Sequence, residues 1–277
     1  MPVIAMTQEM GSLAKDVALE IARKAHLDVM RHEVLDNVAN RMQVHSSVIS
    51  RLREGKAGLV ERLTTDRQQV AVYTAAEVFA LAAKGNIVLR GWGATCLLRP
   101  VAHVITARIT RSFASRVQWL MENLATDDEA FAAAEVRRSD DAHAAKIKAQ
   151  FGVTWGDPLL YDLVLNTDRL SVETCALQIL QLAGRPEFEE TEASRAMLAD
   201  LALSASIRAA LKENQSTRET NIDIESHGGK VALRGIVLNA QERAEAGRVA
   251  GIVAGPDNVD NQLRLMVISR KFTYAKT

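Results

Sequence analysis

Residues 3–24 read VIAMTQEMGSLAKDVALEIARK, and they decide the fold of the first part of the chain. The opening five residues are almost wholly apolar and predict a short buried strand. Residues 8–16 combine small residues with one lysine and predict a turn, and residues 17–24 have the apolar spacing of an amphipathic helix. A buried strand, a small-residue turn and a helix, in this order, have the layout of a phosphate-binding loop.

The turn carries groups that suit a phosphate. Backbone N–H groups at a turn and at a helix N-terminus point at an anion, and Lys15 adds a positive charge. The strict pattern is glycine, four residues, then Gly-Lys-Ser/Thr, whereas Glu9 and Ala14 hold the glycine positions here and Asp16 holds the hydroxyl position. A surface lysine in a first helical turn is therefore the alternative, and Asp16 either holds Mg²⁺ through water or removes the usual hydroxyl ligand. The predicted phosphate-binding residues are Gly11, Ser12, Leu13, Ala14, Lys15 and Asp16.

Composition narrows the class of protein. The chain has 277 residues, of which 48% are hydrophobic and 25% charged, as in ordinary globular proteins. Its formal net charge is zero, which argues against a nucleic-acid partner that needs a basic field. Cys96 and Cys175 lie far apart in apolar helical contexts and are interpreted as reduced core thiols. With no basic-then-apolar leader and no apolar run of membrane-spanning length, we expect a cytoplasmic protein.

The order of the predicted elements indicates two domains. Helices separate the predicted strands up to residue 183, which is typical of a parallel sheet flanked by crossover helices. Residues 184–193 are predicted to be a linker, residues 194–270 a small αββαβ domain with a hairpin turn at 227–230, and residues 271–277 a tail. The strands predicted for the first domain lie at residues 3–7, 27–30, 86–89, 103–110 and 162–167.

Several arginines are candidates for the same site as Lys15. Arg90 follows a predicted strand, and the carboxyl ends of parallel strands meet at one edge of a sheet. Arg116 lies in the predicted helix 113–124, and Arg137 and Arg138 lie in a polar helical stretch. Phosphoryl transfer needs positive charges around the moving group, although solvated surface arginines are the alternative for each. The histidines show no metal-ligand spacing and are interpreted as structural.

Residues 155–173 resemble a segment of the cytidylate kinase-like family of P-loop nucleoside monophosphate kinases, in which a Tyr-Asp-Leu-x-Leu-Asn-Thr strand follows the lid; here it reads YDLVLNT at 161–167. Residues 7–16 are similar to that family's Ser-Arg-Glu-x-Gly-Ser-Gly-Gly-Arg-Glu loop and keep Glu9, Gly11, Ser12 and a positive charge at residue 15. The family also has a Gly-Arg-Gly-Ala turn, and the corresponding residues 91–94 read GWGA here, so Trp92 holds the arginine position. Arg90 lies two residues earlier, on the same side of an extended chain. Arg116 matches the family's helix arginine, and Arg138 with Asp141 resembles its lid motif.

The resemblance implies an ATP-dependent transfer of a phosphoryl group to a nucleoside monophosphate, CMP or dCMP, with ATP and Mg²⁺ as cofactors. It implies Lys15, Arg116, Arg137 and Arg138 as catalytic residues, and Arg90, Trp92 and Asp141 as substrate-binding residues. The strand before Arg90 ends in Val88-Leu89, so no metal-ligating aspartate is assigned. The alternative is a catalytically weak or inactive nucleotide-binding regulator, which the altered loop, Asp16 and Trp92 favour.

Residues 194–270 resemble a BON domain, on the hairpin 229–237, the helix around 242–246 and the segment 259–263. The resemblance implies binding of phospholipid surfaces or of other ligands. From Ser194 onward the chain has 12 Lys and Arg and 9 Asp and Glu, so its net positive charge is small. Such a charge gives only a weak attraction to an anionic membrane. We therefore expect a ligand or protein partner for this domain rather than a membrane.

Overall fold

The first part of the chain forms one five-stranded, wholly parallel sheet. A computed structural model describes residues 2–30, 32–53, 56–58, 61 and 66–266, and the chain divides into two compact units, Met1–Leu198 and Ala199–Thr277. The strand order of the sheet is β2-β3-β1-β4-β5, so β1 is central. The strands are β1 (Val3–Gln8), β2 (Asp28–Met30), β3 (Ile87–Arg90), β4 (Val104–Thr110) and β5 (Leu163–Asn166).

Helices lie between successive strands along the chain, as the crossover connections of a parallel sheet require. Their starts have local causes: Ser112, Asp128 and Ser171 each accept a backbone N–H with their side chain at a helix N-cap. The helices are α1 (Ala14–Ala25), α2 (His32–Met42), α3 (Ser46–Arg53), α4 (Arg67–Ala82), α5 (Ala94–Leu97), α6 (Phe113–Leu124), α7 (Glu129–Phe151) and α8 (Val172–Ala183).

The core of this unit lies between the sheet and the pair α1 and α8. Ile4 and Ile105 from the central strands meet Ile21 of α1 and Ile179 of α8, and all four are at most 1% exposed. Fully burying an isoleucine is worth about 1.5–3 kcal/mol relative to exposure. The core therefore fixes α1 against the sheet, and with it the loop that joins β1 to α1.

The second unit is a small mixed sheet with helices. Strands β6 and β7 form an antiparallel hairpin whose turn holds Gly228 and Gly229 at φ 56° and 77°, values that favour glycine. Strand β7 pairs in parallel with β8 and β9 at its other edge. Its elements are β6 (Ile222–His227), β7 (Lys230–Val237), α10 (Ala240–Ala254), β8 (Val259–Asn261) and β9 (Arg264–Leu265), and α9 (Glu192–Glu213) precedes them.

The predicted α/β class with a second small domain is confirmed, and some boundaries differ. The segment 259–265 forms two short strands, and Leu263 between them is buried in the core. After Glu33 the chain forms two helices, and Gln43 adopts a left-handed φ of 54° just after α2. The two units divide within α9, whereas the linker was predicted at 184–193; the predicted tail at 271–277 lies outside the described residues.

Both cysteines are free, as predicted for reduced thiols, and burial raises the pKa of each. Cys175 is fully buried, whereas Cys96 is only half-buried. Among the described residues, no helix is long and apolar enough to cross a membrane.

Candidate functional site

The loop between β1 and α1 is held in a conformation that exposes the start of α1. Gly11 and Leu13 adopt left-handed φ values of 78° and 60°, and α1 begins directly afterwards at Ala14. The first N–H groups of a helix have no partner within the helix. Lys15 and Asp16 in this first turn are exposed, and neither forms an ion pair with any described residue. The start of α1 thus presents one cation and one carboxylate to solvent, next to helix N–H groups that have no partner within the helix.

Two neighbouring segments fix this loop from behind. A Cβ at Gly11 would lie 3.1 Å from the Arg116 carbonyl oxygen and 3.1 Å from Cε3 of Trp119, so α6 packs directly on the loop backbone. The Thr167 hydroxyl donates to the Ser12 carbonyl at 3.0 Å, which ties the loop to the end of β5. Ser12 is buried, and its hydroxyl has no hydrogen-bond partner.

Arg90 ends the neighbouring strand at the same edge of the sheet. In the parallel pairing Met6 lies opposite Arg90, and the Gly91 N–H donates to the Met6 carbonyl at 2.8 Å. The Arg90 guanidinium donates to the Gln8 side chain at 3.4 Å. The structure therefore brings Arg90 beside the loop, although Arg90 belongs to β3 rather than to the turn after it, and it is buried. Trp92, at φ 60°, is buried as well.

Glu9 is the centre of an ion network beneath the loop. One oxygen accepts from Arg108 at 2.7 Å, and the other accepts from the Thr110 hydroxyl at 2.7 Å and from the Arg111 N–H at 3.2 Å. The second oxygen also lies 3.6 Å from Nε of Arg116. Glu9, Arg108 and Arg116 have side chains that are only 12%, 8% and 7% exposed. Buried charges of this kind are stable only when they are paired.

Arg116 joins this network to α7. Its Nη1 and Nη2 donate to the two oxygens of Asp140 at 3.0 and 2.9 Å, a bidentate pair between α6 and α7. Its Nε is buried and makes no hydrogen bond. The guanidinium that the sequence predicts to be catalytic is therefore ion-paired within the protein, with Asp140 on one side and Glu9 on the other.

The other predicted lid residues lie along α7 and are more accessible. Arg137 is exposed and stands over the Phe113 ring at 4.8 Å. Arg138 pairs with Glu135 one turn earlier, and this contact lowers the pKa of the Glu135 carboxyl. Asp141 is exposed. The structure thus places these residues on one helix, without direct contact to Lys15.

Arg108 and its aromatic neighbours were not among the predicted site residues. The Arg108 guanidinium stacks 4.2 Å from the Trp155 ring and donates to the Trp155 carbonyl at 2.9 Å. The Tyr161 hydroxyl donates to the same carbonyl at 2.7 Å, and the Trp155 N–H donates to Thr7 of β1 at 3.0 Å. The sequence did carry a signal for Arg108, namely a charged residue inside a pattern typical of a buried strand. That signal could have identified Arg108 as a buried residue that needs an ion-pair partner.

Asp168 organises the segment between β4 and α6. It accepts from the Ser112 N–H at 2.7 Å and from Arg111 Nε at 3.1 Å. Hydrogen bonds from Ser112 and Ser115 are the main cause of a pKa far below the usual range for this carboxyl. Asp168 is thus ionised at neutral pH and holds the start of α6 beside the loop.

A cavity of about 470 Å³ opens beside the loop, on α6 and the start of α7. The same Trp119 that touches Gly11 lines this cavity. It offers an aromatic ring, a side-chain amide and charged groups, and its polar and aromatic lining residues include Arg111, Ser115, Gln118, Trp119, Glu122 and Glu129. The cavity does not include Lys15 or Arg90, so the predicted site and the open space are adjacent rather than identical.

The described residues contain no group of three or more His, Cys, Asp or Glu that could hold a metal ion. Mg²⁺ is commonly held by one or two carboxylates together with substrate phosphates. Asp16, exposed in the first turn of α1, is a carboxylate that fits this arrangement.

Two sequence families and several solved structures are similar to parts of this chain. Residues 3–169 match the sequence model of the cytidylate kinase-like family, and residues 199–266 match that of the BON domain. No protein with a curated description is significantly similar to the chain. Among solved structures, an uncharacterized protein from Eubacterium ventriosum is 20% identical with a TM-score of 0.53, covering 66% of this chain and 97% of its own.

Two shikimate kinases are more distant. The enzyme from Acinetobacter baumannii, solved in complex with shikimate, is 13% identical with a TM-score of 0.41, covering 66% of this chain and 92% of its own. The enzyme from Bacteroides thetaiotaomicron is 15% identical with a TM-score of 0.38, covering 65% and 97%.

Proposed function

Since this chain belongs to the cytidylate kinase-like family and also contains a BON domain, we propose that it transfers a phosphoryl group from ATP to a nucleoside monophosphate. The observation that carries this proposal is Lys15. A cation in the first turn of a helix is disfavoured by the helix dipole unless an anion is bound there. Lys15 is exposed at that position, and the loop before it is shaped by Gly11 under α6.

The donor nucleotide would bind across the loop and the adjacent cavity. Backbone N–H groups from Gly11 to Lys15 and the Lys15 ammonium would bind its phosphates. The base would occupy the cavity, where Trp119 offers an aromatic face and Gln118 an amide that can both donate and accept. Mg²⁺ bound with the donor would neutralise phosphate charge, and Asp16 is the residue that would hold it.

The acceptor is a nucleoside monophosphate of the CMP or dCMP kind, for which Arg90, Trp92 and Asp141 are the proposed contacts. An oxygen of the acceptor phosphate forms a bond to the γ-phosphorus as the bond to the β,γ-bridging oxygen breaks, and the nucleoside diphosphate of the donor leaves. The acceptor oxygen is already an anion, so this step needs positioning and charge neutralisation rather than a general base. Lys15, Arg137 and Arg138 would supply positive charge, and Arg116 would do so once it is released from Asp140.

A second function is favoured by a specific observation. Arg116 is ion-paired with Asp140 and Glu9, and Asp16 stands where a hydroxyl normally binds the metal. A protein with these features could bind a nucleotide without turnover and act as a cytoplasmic regulator. The BON unit would then bind a ligand or a protein partner that reports the nucleotide state.

A coupled assay with ATP, Mg²⁺ and a panel of monophosphates separates the two. The kinase proposal expects turnover of at least one monophosphate, and Lys15→Ala should lower kcat/KM about 100-fold or more, as loss of one preorganised charge donor does. Lys84→Ala is the matched control, because Lys84 is exposed and precedes β3, at the opposite edge of the sheet. Thermal stabilisation by ATP without turnover supports the regulator, and neither stabilisation nor turnover refutes both.

The BON unit has its own test. Full-length protein is centrifuged with vesicles of neutral or anionic phospholipid, and we expect it to stay in the supernatant. Pelleting with anionic vesicles that is abolished by salt would contradict the expectation of a non-membrane ligand.

A further inference from the structure

The bidentate pair between Arg116 and Asp140 has the geometry of an occupied anion site. Two parallel N–H···O bonds of 3.0 and 2.9 Å join the guanidinium to the carboxylate. The planar fork of an arginine donates to a carboxylate and to a phosphate in the same bidentate way. Arg116 is 7% exposed, so the pair lies in a poorly solvated place where the strength of an ionic hydrogen bond matters.

We propose that Asp140 is a tethered occupant of a phosphate site, which a bound polyphosphate displaces, freeing α7 to move. The inference rests on the proposed function for the identity of the natural anion, the phosphates of a nucleotide. It adds that the site is closed by the chain's own carboxylate until such an anion arrives.

The position of Arg116 against the phosphate loop supports this. A Cβ at Gly11 would lie 3.1 Å from the Arg116 carbonyl oxygen and 3.2 Å from its Cα, so the backbone of Arg116 touches the loop. Nε of Arg116 makes no hydrogen bond but lies 3.6 Å from Glu9, whereas the hydroxyl of Ser12, on the loop that Arg116 touches, is buried without a hydrogen-bond partner. Buried polar atoms are usually satisfied, so the Ser12 hydroxyl is a group that a bound phosphate oxygen would satisfy.

Asp140 is the weaker end of the network. Glu9 is held by Arg108, Thr110 and the Arg111 N–H, and its side chain is 12% exposed. Asp140 is paired with Arg116 alone among the described residues, and its side chain is 26% exposed. An incoming anion therefore displaces Asp140 before Glu9.

The packing of α7 allows that movement. The buried cluster that joins α6 and α7 consists of Val117 and Leu120 on α6 with Ala132 and Val136 on α7. Phe113, Trp119 and Met121 of α6 pack around this cluster, and α7 also buries Ile147 further along. Between Val136 and Ile147, however, no residue of α7 is buried, so the stretch around Asp140 can shift at low cost in free energy.

Binding of inorganic tripolyphosphate to the full chain, measured by isothermal titration calorimetry, tests the proposal. Asp140→Asn keeps the shape of the side chain but removes the carboxylate charge that competes for Arg116. We expect the affinity for tripolyphosphate to rise about tenfold or more, within the usual range of coupling between two sites. Asp127→Asn is the control, since it removes one exposed charge from the segment between α6 and α7, and its affinity should equal that of the wild type. Equal affinity in Asp140→Asn and the wild type, or no binding by either, overturns the proposal.

Hydrogen exchange of the wild-type chain gives a second measurement that does not depend on a variant folding. Tripolyphosphate should accelerate amide exchange in residues 136–144 of α7. Slower or unchanged exchange there, with tripolyphosphate bound, overturns the proposal. Neither readout requires turnover, so displacement of Asp140 without any kinase activity would uphold this inference while the proposed function fails. Turnover of a monophosphate with unchanged amide exchange in α7 would support the proposed function and refute this inference.

Discussion

Replacing Glu9 by glutamine should destabilise the first unit strongly. The carboxylate accepts hydrogen bonds from Arg108, Thr110 and the Arg111 N–H and lies 3.6 Å from Arg116. Glutamine keeps one acceptor oxygen but turns its amide NH₂ either toward Arg108 or toward the Arg111 N–H and Arg116, none of which can accept a hydrogen bond. The buried Arg108 guanidinium then loses its carboxylate partner, whereas Arg116 keeps its pair with Asp140.

The expected loss follows from that geometry. Removing one partner of a buried ion pair costs about 3–5 kcal/mol, and the retained oxygen places Glu9→Gln near the lower end, at about 3 kcal/mol. With a urea m-value of about 2 kcal/mol/M, the midpoint of unfolding should fall by about 1.5 M.

Tryptophan fluorescence in urea measures this effect for the first unit alone, because all 3 tryptophans, Trp92, Trp119 and Trp155, lie there. The control is Glu20→Gln, since Glu20 pairs with Arg23 at the surface, and its midpoint should stay close to that of the wild type. A Glu9→Gln midpoint within about 0.3 M of the wild type, on the same m-value, would refute the view that Glu9 compensates buried charge.

Three further outcomes are expected. Burial lowers the pKa of His103 from its ordinary 6.5, so as the pH falls the imidazole is protonated in the unfolded chain before it is protonated in the folded chain. The urea midpoint should therefore fall as pH is lowered from 7 to 5.5, and it should fall less in His103→Asn. Trp119→Ala should weaken ATP binding about 5–100-fold through lost base stacking, while calorimetry with tripolyphosphate shows little change. Gly93→Ala should lower stability by about 2 kcal/mol, because Gly93 has φ 71° and a Cβ would lie 2.8 Å from the Phe151 ring; an unchanged thermal midpoint would contradict this.

Much of the fold could be predicted because local pattern and tertiary structure agree. Residues 3–6 are apolar and begin the central strand, and the helix starts at Ser112 and Ser171 carry their own cap residues. Sequence pattern fails where a tertiary contact decides. The break between β8 and β9 depends on Leu263 entering the core, which no local period reveals.

The candidate site divides in the same way. The position of Arg90 beside the loop could be predicted because parallel strands bring their carboxyl ends to one edge, and the binding roles of Arg90 and the loop residues stay predictions. The pairing of Arg116 with Asp140 could not, since these residues are 24 positions apart and meet only through the packing of α6 on α7. Trp119 was hidden for a similar reason. In the sequence Trp119 is an ordinary helix residue. It matters for the site because it packs against the loop at Gly11, where there is no side chain to keep it away.

The alternation of charge around Glu9 bears on how fast an anion can associate. Arg108, Glu9, Arg116 and Asp140 carry two positive and two negative charges, so the closed network produces almost no long-range attraction for an anion. When Asp140 leaves, the remainder has a net positive charge. Electrostatic steering, which raises association rates at low ionic strength, is then available only after opening. Capture of a polyphosphate by this edge should therefore be slow and only weakly dependent on salt, with Lys15 as the main source of any salt effect.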